Sequence, residues 1–78
     1  MNSKIKFKYN NLNLPYYHVK VLIKTKLENR FKKLPDHIDP CGKDKMWFAW
    51  DIEDEKAAKA KARYLSKLSD AIKVEIWK

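Results

Sequence analysis

Lysines set beside aromatic rings are the residues of this sequence best suited to chemistry, and that chemistry is recognition. Lys4, Lys6 and Lys8 alternate with Ile5, Phe7 and Tyr9. Trp47, Lys73 and Trp77 likewise fall opposite the apolar side chains of their own segments, Phe48, Trp50, Val74 and Ile76. Ammonium groups neutralise phosphates and flat rings stack on bases, so lysines and indoles sharing a surface suit a single-stranded nucleic acid. A second cationic row, Lys56, Lys59, Arg63 and Lys67, recurs at helical spacing. Such a row grips phosphates or an acidic partner, or stands as a solvated helix face.

Patterns for bond-making chemistry are missing. No P-loop, GxGxxG, HExxH or GxSxG sequence occurs. His37, Asp39 and Cys41 are spaced two apart, but no Cys-x-x-Cys or His-x-x-x-His spacing supplies a fourth ligand, and His18 lies on a different segment. The expectation is no metal and no cofactor. Cys41 with His37 as base would make a nucleophile pair, but no oxyanion-hole glycine motif accompanies it. Asp51, Glu53, Asp54 and Glu55 are explained by the start of a helix, where negative charge is favoured.

Composition sets the frame for these candidates. Seventy-eight residues make one domain, residues 1–78, and 45% hydrophobic content with 13% aromatics suffices for a core. The formal charge is +8 and lies unevenly. Residues 1–45 hold eleven Lys/Arg against four Asp/Glu, and residues 46–78 hold seven against six. That asymmetry attracts a polyanion or an acidic protein surface. A lone cysteine, Cys41, excludes an internal disulfide and suggests a reducing compartment, the cytoplasm. The amino-terminal alternation has no apolar region of a signal peptide, and no stretch approaches the ~18 apolar residues of a membrane span.

The elements that must position the candidates follow from periodicity. Residues 4–9 alternate as a half-buried strand, and asparagines 10, 11 and 13 end it. Residues 14–34 present Tyr16, Val19, Ile23, Leu27, Phe31 and Leu34 at helical spacing, with Pro15 near the entry and Lys20, Lys24, Glu28 and Lys32 beside the stripe. The competing reading is a strand, because Tyr17, Val19, Val21 and Ile23 also alternate and β-branched residues favour strands. Length favours the helix. A short strand at 36–38 and a turn at 39–42 come next. Lys45–Ile52 alternates as a strand, a helix runs from the acidic stretch at 51–55 to about Leu68, and Ile72, Val74 and Ile76 mark a final strand. The helix should bury Ala57, Ala60, Tyr64, Leu65 and Leu68.

That order predicts an α+β domain, a small antiparallel sheet with two helices on one face. It is a ferredoxin-like βαββαβ plait, or a three-stranded βαβαβ sheet if the short strand is absent. If residues 14–27 are a strand, a hairpin followed by βαβ remains. Lys45-Met46-Trp47-Phe48-Ala49-Trp50-Asp51-Ile52 resembles the longer signature strand of the RNA recognition motif in its leading lysine and its third-position aromatic. It departs from that strand at Met46 and Ala49, and Lys6 stands where the motif's first strand carries an aromatic. The resemblance therefore implies shared topology and not membership.

Three classes of function fit, none of them enzymatic. The first is a basic protein that engages nucleic acid or a nucleic-acid-processing complex. The second is a small inhibitor or adaptor that binds a host or defence protein through exposed aromatics and basic charge. Short, motif-free, Lys/Asn-rich chains of this style are common among phage proteins, anti-CRISPR proteins included. The third is a subunit of a larger ribonucleoprotein.

Overall fold

The computed structural model describes residues 7–24 and 31–78. Lys4, Lys6 and residues 25–30 of the expected first helix lie outside the described residues. Among those described, the order is β1 (Lys8–Asn10), β2 (Tyr17–Ile23), β3 (His37–Cys41), β4 (Lys45–Ile52), α1 (Glu55–Ser66) and β5 (Ala71–Trp77). The strands form one mixed sheet in the spatial order β1-β5-β2-β4-β3. β1 and β5 are parallel, and the other neighbouring pairs are antiparallel. β4 and β5 thus run in one direction with β2 hydrogen-bonded between them, and α1 joins them as a split βαβ unit.

This corrects the two-helix architecture, in both its plait and its three-stranded form. Residues 17–23 are not helical but form the middle strand of five. Val19 and Ile23 suit either period, since a spacing of four is also a multiple of two. Val21 decides between them: a helix would turn it away from Val19, whereas the strand buries all three on one face. β2 pairs with β4 along its whole length and with β5 over most of it, with a register break at Leu22/Ile23, and this pairing outweighs local helix propensity. The comparison with the RNA recognition motif loses its topological basis with the second helix.

The face of the sheet under α1 carries the core. Val19, Val21 and Ile23 of β2, Phe48 and Trp50 of β4, and Val74 and Ile76 of β5 are buried there, with Phe7, Tyr17, Met46 and Ile52 packed at the margin. The helix meets them through Ala58, Ala62, Leu65 and Ser66. Of the expected helix face, Leu65 is buried and Leu68 packs on the core, but Ala57, Ala60 and Tyr64 are exposed, and Ala58 and Ala62 take their place. Small side chains at 58 and 62 let the helix axis approach the sheet closely. Asp54 caps the helix, its Oδ2 accepting the Ala57 N–H at 2.8 Å, so the acidic stretch acts as the sequence predicts.

α1 lies mainly over β2 and β5. Over β4, Phe31 fills the space beside α1. Its ring stands edge-on to Phe48 and Trp50, with centroids 5.4 and 5.0 Å away. Leu34, assigned to the same apolar stripe, is 62% exposed. Lys61, inside the apolar sector of α1, lays its ammonium 4.1 Å from the Trp50 ring. Burial, and then the nearby Lys33, hold its pKa below the usual lysine value.

The strand ends follow turn chemistry. Asn13 has φ of 58° and its N–H is accepted by Asn11 Oδ1, a local turn that ends the run after β1. Gly42, φ 79°, opens the β3–β4 turn. The turn expected at 39–42 therefore starts later, and Pro40 sits within β3, an edge strand whose outer side needs no donor.

Candidate functional site

Alternation along the paired strands fixes what the opposite, helix-free face displays. In register, Lys20 lies between Ala49 of β4 and Glu75 of β5, Leu22 between Trp47 and Lys73, and His18 between Asp51 and Trp77. Lys8 and Asn10 of β1 extend the row beside Glu75 and Trp77. The face is thus a grid of lysines, indoles and three carboxylates, Asp39, Asp51 and Glu75, with hydrophobic cover at its centre.

Trp47 and Trp77 flank Lys20 from the two neighbouring strands. The Lys20 ammonium is 4.3 Å from the Trp47 ring centroid and 5.7 Å from that of Trp77. At such distances the negative face of each ring attracts the cation. The Trp77 indole N–H donates to Glu75 Oε1 at 2.8 Å, which fixes that ring's direction. Both indoles are half-buried, and beneath them Leu22 and Ala49 keep only 7% and 4% of their surface. Neither ring stands free of the sheet. Lys8, Lys45 and Lys73 remain exposed around them.

The candidate residues therefore divide between two surfaces. Lys8, Trp47, Lys73 and Trp77 share the helix-free face, while Lys56, Lys59, Arg63 and Lys67 are carried by α1 on the other side of the sheet. No single groove holds both sets. Lys59 is further engaged by Glu55 at 2.9 Å, an i,i+4 pair that raises its pKa through the hydrogen bond. Sequence reasoning missed Lys20, placing it on the polar stripe of a helix. The alternation from Tyr17 to Ile23 carried the signal, since it sets His18, Lys20 and Leu22 opposite the core.

A second cluster occupies the same face toward the β3 edge. His18 Nδ1 is 2.7 Å from Asp51 Oδ1, and His37 Nε2 is 2.9 Å from Asp51 Oδ2. The imidazole centroids are 5.2 Å apart. Asp36 braces the cluster: its backbone N–H donates to the Ala49 carbonyl at 2.8 Å, and its Oδ2 accepts the Asp51 N–H at 2.8 Å. Two imidazoles and one carboxylate are also transition-metal ligand types. His37, Asp39 and Cys41 lie on β3 and not in a loop. His37 and Cys41, four residues apart on one strand, are separated by about 13 Å, so they form no nucleophile–base pair.

The cluster couples folding to pH. Burial is the largest single influence on Asp51 and opposes its charge. Hydrogen bonds from His18 and His37 outweigh it and hold the carboxyl below the ordinary value. The bond to Asp51 raises His37 against the opposing effect of burial, helped by the charges of Asp51, Asp36 and Asp39. The depressed Asp51 stabilises the fold above its unfolded value, about 3.9, and that contribution is lost as pH falls through the folded value. The raised His37 stabilises fully below its unfolded value, about 6.5, and that contribution is lost as pH rises through the folded value. With a chelator present, the stability advantage of the native chain over His37→Gln shrinks as pH rises from about 6 to 8.5. An advantage that stays constant in urea unfolding across that range contradicts the coupling.

With this geometry in hand, comparison with protein families, curated proteins and solved structures finds no match to the chain. Among the described residues no helix is long and apolar enough to cross a membrane.

Proposed function

We propose that the helix-free sheet face binds single-stranded nucleic acid, free or within a nucleic-acid-processing complex, and that the protein is a binder and not an enzyme. The observation that carries this reading is Lys20 held between Trp47 and Trp77 on an otherwise lysine-fringed sheet. When a strand arrives, the Lys20 ammonium exchanges ring faces for phosphate and leaves the indoles to stack on bases. Lys8, Lys45 and Lys73 track the backbone around them. The lone Cys41 accords with a reducing, cytoplasmic setting.

Salt dependence tests the proposal. A labelled single-stranded oligonucleotide titrated by fluorescence anisotropy should bind about 20–50-fold more weakly at 200 mM than at 50 mM salt, the change that three or four phosphate contacts produce. Affinity that is flat over this range contradicts the proposal. Affinity purification with nuclease treatment separates the inhibitor or adaptor reading, which predicts one stoichiometric protein partner that survives the nuclease.

A further inference from the structure

We propose that His18, His37 and Asp51 form a binding site for a divalent transition-metal ion of the zinc class. Each contributes from a different strand, β2, β3 and β4, and these three strands are neighbours in the sheet. One ligand atom from each residue lies within 4.8 Å of the others. The register explains the convergence. His18 faces Asp51 directly across β2 and β4, while His37 faces Ala49, one alternation along the same face, and reaches Asp51 diagonally.

The geometry is close to what an ion requires. Zinc–nitrogen and zinc–oxygen bonds of about 2.0–2.2 Å set ligand atoms about 2.9–3.4 Å apart, from octahedral to tetrahedral angles. The present nitrogen–oxygen separations are 2.7 and 2.9 Å. These contacts run to different carboxylate oxygens, and one ligand atom from each residue spans as much as 4.8 Å, so the two imidazoles must turn toward each other by about 1–2 Å to share one ion. On binding, the ion takes the place of a ring hydrogen pointing at the carboxylate: a doubly protonated imidazole releases one proton to solvent, and a neutral one carries its hydrogen on the outward nitrogen instead.

Charge and access favour the same conclusion. With both imidazoles neutral the cluster carries one negative charge, and Asp36 and Asp39 add to the local negative field felt at His37. The side chains of His18, Asp51 and His37 are 24%, 31% and 49% exposed, so an ion reaches them without unfolding the sheet. Asp36 holds the Asp51 backbone from outside the ligand set, the kind of support that orients metal ligands. Two nitrogens and one carboxylate leave a coordination position for water, as transition-metal sites of this composition do. A bound ion ties edge strand β3 to β4 and β2.

Isothermal titration of the full chain with zinc chloride, after stripping with chelator and in a non-coordinating buffer at neutral pH, tests the proposal. One equivalent should bind, and more weakly at about pH 5 than at about pH 7.5, because protonated imidazoles compete with the ion and must release a proton to bind it. His37→Gln and Asp51→Asn should each weaken binding at least tenfold, while Cys41→Ser leaves it unchanged. Circular dichroism on each variant establishes that it is folded, and His37→Gln, at an exposed edge, preserves the fold. Cobalt(II) should give visible absorption bands in the native chain that His37→Gln loses. Absence of one-equivalent binding, binding indifferent to His37→Gln, or binding that requires Cys41 overturns the assignment.

Discussion

Trp50→Ala should remove about 3–5 kcal/mol of folding stability, the largest loss expected from a single side chain. Trp50 is 1% exposed at the centre of the core face. Its ring meets Phe31 edge-on, lies under the Lys61 ammonium, and donates its indole N–H to the Lys33 carbonyl at 3.0 Å. Truncating a buried tryptophan to alanine costs about 3–5 kcal/mol, and the orphaned carbonyl adds to it. A domain of this length holds roughly 0.05–0.15 kcal/mol per residue, or about 4–12 kcal/mol in all. One side chain thus accounts for a large share of the margin. It also anchors Phe31 and the backbone of Lys33, from the stretch read as the first helix. Trp50→Phe keeps a ring but loses the hydrogen bond, so its urea midpoint should fall between those of the native chain and the alanine variant. Equal midpoints for native and alanine chains contradict this account of the core.

Loss of either indole on the opposite face should act on binding. Trp47→Ala or Trp77→Ala should weaken affinity for a single-stranded oligonucleotide by about 1–3 kcal/mol each, roughly 5- to 150-fold. Trp47→Phe, which keeps a stacking surface, should retain most of the affinity. Lys20→Ala should instead reduce the salt slope by about 0.7, the loss of one phosphate contact. Trp47 is half-buried opposite Leu22, so its alanine variant needs a check of folding by circular dichroism before affinities are compared. Both indole variants folded and binding like the native chain would remove the stacking role.

The two tests draw on parts of the fold that were unequally legible in the sequence. β4 and β5 read correctly because strict alternation, Phe48 and Trp50 against Trp47 and Asp51, Val74 and Ile76 against Glu75 and Trp77, admits one period only. α1 was legible in its acidic start and in its later leucines, Leu65 and Leu68, but not in which alanines it buries or in Tyr64, which stays exposed. Alanines at 57, 58, 60 and 62 leave the apolar sector nearly symmetric, and close packing on the sheet chose 58 and 62. β2 was ambiguous because Tyr16, Val19, Ile23 and Leu27 satisfy a helix while Tyr17, Val19, Val21 and Ile23 satisfy a strand, and the decision lay in partners far along the chain. Lys20 was lost with it. The His18–Asp51 contact spans strands paired across 33 positions, so no local spacing announces it.

The claim on which the function rests is that the indoles of the helix-free face, and not the core indole, meet the ligand. The chain has three tryptophans and so three indole N–H signals in a nitrogen–proton correlation spectrum. Titration with a single-stranded oligonucleotide at low salt should move those of Trp47 and Trp77 and leave that of Trp50 in place. Movement confined to Trp50 and the residues of α1, with Trp47 and Trp77 unmoved, would contradict it.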